Sequence, residues 1–169
     1  MTRRLTGADE ATAMRWMKVA TKVAAGSLCL RAHCGTIIVS DDEVIGAGHN
    51  SPPGDCPIAV CRKDMLPASF RSDRTCCIHA EGRAIIDALT RAPKRLVGST
   101  AYFIRLGPDD DPAPAGEPYC TICSKQVLDA GIAEFVLWHG NERGFIAYDA
   151  DDYNERSFVA DATDRLAQL

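Results

Sequence analysis

No run of eighteen apolar residues occurs anywhere in this 169-residue chain, which excludes a helix long enough to cross a bilayer. The opening segment, Met1-Thr-Arg-Arg-Leu-Thr-Gly-Ala-Asp-Glu10, contains no apolar stretch of the kind an export signal carries and turns acidic at once. A cytoplasmic protein with reduced thiols is therefore expected. Positive charge is also in short supply: 19 Lys and Arg stand against 23 Asp and Glu, a net charge of −4. A general nucleic-acid binder presents a basic face, so nucleic acid is not the expected partner. No internal repeat and no domain boundary is visible. Residues 1–169 read as one domain, long enough to enclose a real core.

Residues 8–25 have helical periodicity, with Met14, Met17, Thr21 and Ala24 on one stripe and Val23 beside it. Gly35–Ser40 and Glu43–His49 read as two strands of a hairpin turning at Asp41-Asp42, and the unbroken run Ile37-Ile38-Val39 predicts a strand covered on both faces. Residues 50–77 hold five prolines or glycines that forbid a regular element (Pro52, Pro53, Gly54, Pro57, Pro67). A helix follows from His79 to about Arg91, with Ala80, Ala84, Ile85, Ala88 and Leu89 inward, ending before Pro93. Next come a strand at 99–105 and an acidic, Pro-rich loop at 109–116. A helix at 120–130, inward at Val127 and Leu128, is closed by Gly131. A strand at 133–139 and a last helix at 151–168 complete the chain. This order predicts an α/β fold, a three-layer α/β/α sandwich around a mixed sheet of about five strands.

Eight cysteines stand at 29, 34, 56, 61, 76, 77, 120 and 123. In a reducing compartment such a set points to metal or free thiols rather than disulfides. The informative grouping is Cys120-Thr-Ile-Cys123 with His79-Ala80-Glu81. A C-x-x-C at a helix start brings two sulfurs to one cation, and the helix dipole favours their thiolate form. His79 would supply the third ligand, leaving the fourth tetrahedral position of a Zn2+ open to water. Glu81, two residues on, would lie near the metal without binding it, placed to take a proton from a zinc-activated water and deliver it to a ring nitrogen and then to leaving ammonia. On the bare ligands alone a closed structural site, with Cys76 or Cys77 as fourth ligand, fits as well; the His-Ala-Glu triplet favours catalysis.

Several stretches carry a family resemblance: Gly35-Thr-Ile-Ile-Val39, Val44-Ile-Gly-Ala-Gly-His-Asn-Ser-Pro-Pro-Gly54, His79-Ala-Glu-Gly-Arg-Ala-Ile85, and Cys120-Thr-Ile-Cys-Ser-Lys125 running on to Val136. Over about residues 10–140 the chain resembles the zinc-dependent cytidine/deoxycytidylate deaminase superfamily, most of all its deoxycytidylate (dCMP) branch. The resemblance implies a cytidine-deaminase-like fold and hydrolytic deamination of a cytosine nucleotide or nucleoside, with dCMP to dUMP the first expectation. By the same likeness His79, Cys120 and Cys123 hold zinc, Glu81 shuttles protons, Asn50 contacts a sugar hydroxyl and the Ala80 backbone touches the base edge. It also suggests a second zinc at Cys56, Cys61, Cys76 and Cys77, a homo-oligomer (dimer or hexamer), and a cation for a 5′-phosphate among Arg74, Arg83, Arg105 and Lys125. Two departures are plain: Tyr119 stands where the family has Pro, and Gly82-Arg83 where the dCMP branch often has Asn at the second position. The alternatives are a deaminase acting on a base in tRNA or single-stranded nucleic acid, a purine deaminase, and a non-enzymatic module built on a structural zinc.

Overall fold

The structure, a computed structural model, describes residues 2–67 and 76–166, with side chains to 159. Arg74 and the predicted helix end at Gln168 lie outside the described residues. The elements run β1 (Arg3–Arg4), α1 (Gly7–Ala24), β2 (His33–Ser40), β3 (Glu43–His49), α2 (Ala80–Arg91), β4 (Thr100–Leu106), β5 (Pro112–Ala113), α3 (Thr121–Asp129), β6 (Glu134–Trp138), β7 (Phe145–Asp149) and α4 (Ala150–Leu166). One mixed sheet has the order β1-β7-β6-β4-β2-β3, with β5 paired to the end of β4. Only the β4–β6 pair is parallel; the others are antiparallel. Asp41 and Asp42 sit at φ 48° and 60°, as a two-residue hairpin loop matched to strand twist requires.

The period of two along the strands sorts the core into two layers. Ile37, Tyr102, Ile104 and Val136 face α1, where they meet Ala13, Trp16, Met17, Ala20 and Ala24. Ile38, Ala101, Phe135 and Leu137 face the opposite way, against Ala84, Ile85, Ala88, Val127 and Tyr153 of α2, α3 and α4. The three-layer α/β/α arrangement is the one expected.

Three local expectations are corrected. Among the described residues the sheet has seven strands rather than about five. β1 and β5 are two-residue edge pairings, too short for any period to register, and β7 follows a Gly-bounded turn that periodicity leaves unassigned. The buried stripe of α1 is Ala13-Trp16-Met17-Ala20-Ala24, not one through Met14 and Thr21; Met14 is exposed. The reason is the closeness of helix and sheet: a Cβ on Gly35 would come within 2.5 Å of the Ala20 carbonyl oxygen, so small residues must face inward. Leu89 of α2 is likewise exposed, because Ala84, Ile85 and Ala88 already complete the face that meets β3.

Candidate metal centre and its cavity

Strand directions place one end of the sheet beside the starts of α2 and α3. The C-terminal ends of β3, β4 and β6 lie together: Gly35 pairs with both His49 and Ile104, and Phe103 with Leu137. Such an end is where open α/β sheets receive ligands. The close seating of α2 on β3 sets the position of its first turn. A Cβ at Gly48 would fall 2.5 Å from the Ala84 nitrogen and 2.6 Å from the Ala80 carbonyl oxygen.

His79 and Cys120 occupy the same station on their two helices, the extended residue before the first turn (φ −70°, ψ 152° and φ −82°, ψ 102°). The His79 side chain caps nothing, so its ring is free to turn toward α3. Its Nδ1 lies 3.2 Å from Cys123 Sγ and 3.4 Å from Cys120 Sγ. The Cys123 backbone N–H donates to Cys120 Sγ at 3.4 Å. These three donor atoms all fall within 4.8 Å of one another, the one such cluster among the described residues. Tetrahedral zinc with ordinary Zn–S and Zn–N lengths sets its ligands roughly 3.5–3.8 Å apart. The spacing here fits that within a few tenths of an ångström, and one imidazole with two sulfurs is a zinc donor set.

The electrostatics of the centre follow from proximity and burial. The Cys120 thiol is held down at about 4, chiefly by the hydrogen bond from Cys123 and also by His79. Cys123 is pushed up by that same bond and by burial, so the two sulfurs share a proton. Cys120 raises the His79 imidazole by its hydrogen bond, against the effect of burial. Glu81 is buried in the first turn of α2 and hydrogen-bonded to Cys123; burial pushes its carboxyl above the ordinary range, with the His79 charge opposing. A buried carboxyl with a raised pKa beside three metal donors is equipped for proton transfer.

The centre forms part of a cavity of about 660 Å³, within the range of small-molecule sites. Asn50 and Ala80 both line it. The Asn50 amide is well anchored: Oδ1 accepts from Ser27 Oγ (2.8 Å) and from the Cys34 N–H (2.7 Å), and Nδ2 donates to the Ala32 carbonyl at 2.8 Å. Ala80 is fully buried. Tyr119, half-exposed, forms part of the wall, while the neighbouring Pro118 is fully buried.

Of the four cysteines considered for a second zinc, the structure brings Cys61 and Cys76 to 3.7 Å, with the Arg62 N–H donating to Cys76 Sγ at 2.9 Å. Cys77 is hydrogen-bonded to Cys29 and pushed up to about 12, chiefly by burial. Cys56 stands apart and exposed, its Sγ near the Gly54 carbonyl. The four do not converge on one point.

Of the predicted phosphate cations among the described residues, Arg105 lines the cavity and Arg83 and Lys125 do not. Arg83 pins the segment after Asn50 instead, pairing with Asp55 at 2.9 Å and donating to the Pro52 carbonyl at 2.8 Å. Lys125 sits over the Phe158 ring. The structure adds cavity residues that sequence reasoning missed: Arg31, Lys63, Phe103, Leu137 and Tyr153. For Phe103 a signal existed, since the period of two puts it on the same face as Arg105. Arg31 and Lys63 lie in aperiodic segments that offer none.

A family model described as the cytidine and deoxycytidylate deaminase zinc-binding region matches residues 10–139. A deoxycytidylate deaminase of Saccharomyces cerevisiae is 31% identical over 130 residues, covering 72% of this chain and 35% of that one. One from Mycobacterium phage D29 is 29% identical over 129 residues, covering 72% and 89%. The chain spans about a third of the length of the yeast relatives it matches. Among solved structures, a cytidine deaminase from Burkholderia pseudomallei superposes with a TM-score of 0.55 at 17% identity, over 83% of this chain and 94% of that one. The dCMP deaminase of cyanophage S-TIM5 in complex with dCMP and dUMP gives 0.53 at 20% identity, over 74% and 79%. These likenesses show a shared fold.

Proposed function

Because the chain belongs to the cytidine and deoxycytidylate deaminase family, its residues 10–139 matching the zinc-binding region of that family, we propose that it is a zinc-dependent hydrolase that deaminates a free cytosine nucleotide, dCMP to dUMP in the first instance. The observation that carries this is the meeting of His79 Nδ1, Cys120 Sγ and Cys123 Sγ within 4.8 Å beside the buried Glu81. The deoxycytidylate deaminase relatives support the nucleotide as substrate.

His79, Cys120 and Cys123 would hold the metal. Zinc bound by three protein ligands supplies a Lewis acid and lowers the pKa of a water in its fourth position. Glu81 would take one proton from the attacking water and pass it to N3 of the ring, then carry the second, from the hydroxyl formed at C4, to the departing amine. Water adds at C4, the C4–N4 bond breaks, and ammonia and a uracil ring are the products. Burial raises the Glu81 pKa above the ordinary carboxylate value, the direction that suits a base that must next act as an acid. The first-turn N–H groups of α2, Ala80 included, face the base edge, and Asn50 meets a sugar hydroxyl with the second hydrogen of its amide nitrogen. Arg105 receives the 5′-phosphate, and Lys63 is a second cation on the cavity wall. A homo-oligomer is part of the reading; Ile86 and Leu89 on α2 and Ile122 on α3 are exposed apolar residues suited to a subunit contact, whereas the apolar stripe of α1 is spent on the sheet.

The test is ammonia release by the zinc-loaded protein over cytosine, cytidine, deoxycytidine, CMP, dCMP, adenine and guanine nucleotides, and a single-stranded oligonucleotide. Turnover is expected to be highest with dCMP. Activity confined to the oligonucleotide, or absent throughout, overturns the reading.

A further inference from the structure

Tyr153 lies on α4, an element the zinc ligands do not touch in sequence. Its ring is stacked on Phe135 at 4.3 Å and meets Tyr148 edge-on at 5.9 Å. The residue is only 4% exposed, yet it lines the cavity of the metal centre. Among the described residues its hydroxyl makes no hydrogen bond. It is not one of the two sealed side-chain atoms without a partner, which are Thr36 Oγ1 and Arg83 Nε. The hydroxyl therefore keeps some accessible surface, and the cavity is the opening that Tyr153 lines. The groups around it there are Glu81, Cys123 and Cys120.

A buried phenol hydroxyl without a protein partner loses most of the free energy of a hydrogen bond unless something in the cavity supplies one. Burial among acidic groups keeps this phenol neutral, so it has a proton to donate. Glu81 addresses the amine-bearing carbon and the adjacent ring nitrogen of the substrate. In cytosine the next ring atom carries a carbonyl oxygen, an acceptor; in adenine the corresponding carbon carries only hydrogen. A donor at the cavity floor thus separates the two bases.

Resting on the deaminase reading above, we propose that the Tyr153 hydroxyl donates a hydrogen bond to the ring carbonyl oxygen of the bound pyrimidine, making Tyr153 a specificity residue for the base. The contact is present in substrate and product alike, so it acts on binding more than on the chemical step.

The conservative variant Tyr153→Phe keeps the stack on Phe135 and removes only the hydroxyl. Steady-state kinetics on dCMP, calorimetric binding of dUMP and thermal unfolding are compared in the zinc-loaded wild type and variant. The expected result is a KM for dCMP and a Kd for dUMP each about tenfold higher, with kcat within about twofold and an unchanged melting temperature. An unchanged KM and Kd overturn the assignment, as does weakened binding accompanied by a matching loss of thermal stability. If the wild type itself releases no ammonia from any cytosine compound, the deaminase reading falls and takes this inference with it. An active wild type beside an equally tight variant sinks the inference alone.

Discussion

Nδ1 of His79 lies 3.2 Å from Sγ of Cys123, joining the first turns of α2 and α3 across 44 positions of sequence. Two helix starts held this close, with Cys120 completing the cluster, gather the donors for one cation, whose binding displaces the proton the sulfurs share. Cys123→Ser is therefore expected to lose one equivalent of zinc relative to wild type and to melt at a lower temperature. Elemental analysis of the purified proteins checks the metal. Wild-type zinc content in the variant would remove Cys123 from the ligand set.

Glu81 makes its contribution through a proton. Glu81→Gln keeps the size and burial of the side chain and leaves the three donors untouched, so zinc content should match wild type. Ammonia release from dCMP should fall at least about a hundredfold, the usual scale of general acid–base catalysis. Turnover at the wild-type rate with zinc in place would refute the proton-shuttle role.

The cysteine pair and the strands were legible in sequence for a physical reason: both signals are short-range, whereas His79 is marked by its own His-Ala-Glu triplet. The C-x-x-C spacing and the strand parity at Ile37-Ile38 are set within one turn or one pleat. The misses all depend on distant partners. Met14 looks inward by helical period alone, but the close approach at Gly35 selects the neighbouring Ala13 and Ala20. Lys63 sits in an aperiodic turn, and Tyr153 reaches the cavity only because α4 folds back beside α3. Neither position carries any local mark of the site. Cys56, which the family resemblance grouped with Cys61, Cys76 and Cys77, follows the 3₁₀ turn at Pro53–Asp55 and is exposed, its Sγ near the Gly54 carbonyl.

Arg105 is the cation that sequence and cavity share. A charge-assisted hydrogen bond to phosphate is worth about 1.5–3 kcal/mol, so Arg105→Gln should raise the KM for dCMP about tenfold or more. Deoxycytidine has no phosphate and its kinetics should not change. Equal effects on both substrates would place Arg105 outside phosphate recognition.

The seat of α2 on β3 is testable through Gly48. Any side chain there must displace the first turn of α2, since its Cβ would overlap the Ala84 nitrogen and Ala80 carbonyl. Gly48→Ala is expected to cost about 1–3 kcal/mol of unfolding free energy, the scale of overpacking. It should also reduce zinc affinity, because His79 and Glu81 move with that turn. Denaturant unfolding and competition with a chelator measure the two effects. A stable variant with unaltered zinc affinity would show that α2 is free to shift.

His139 ties stability to pH at a distance from the metal. The imidazole is buried, and its Nε2 is hydrogen-bonded to the Tyr148 hydroxyl at 2.8 Å. Tyr148 is pushed up to about 12, chiefly by burial, so the phenol stays protonated. Burial, with Arg143 adding to it and Glu117 opposing, pushes the His139 pKa below its ordinary value. The folded state thus binds fewer protons at this site than the unfolded chain does. The stability it contributes is fully present above the unfolded pKa of about 6.5 and is lost as pH falls below it, with a slope of at most about 1.4 kcal/mol per pH unit. Carboxylates held low, such as Glu117 hydrogen-bonded to Arg143, lose their contribution only in the more acidic range below about pH 4.5. The His79 imidazole, raised by its hydrogen bond with Cys120, would act with the opposite sign. The clean quantity is therefore the difference between wild type and His139→Gln, whose amide can still accept from Tyr148. Urea unfolding of both proteins from pH 8 to pH 5 should give curves that run parallel above pH 7. Below it the wild type should fall away from the variant. Parallel curves over the whole range would mean that His139 titrates in the folded protein as it does in the unfolded chain.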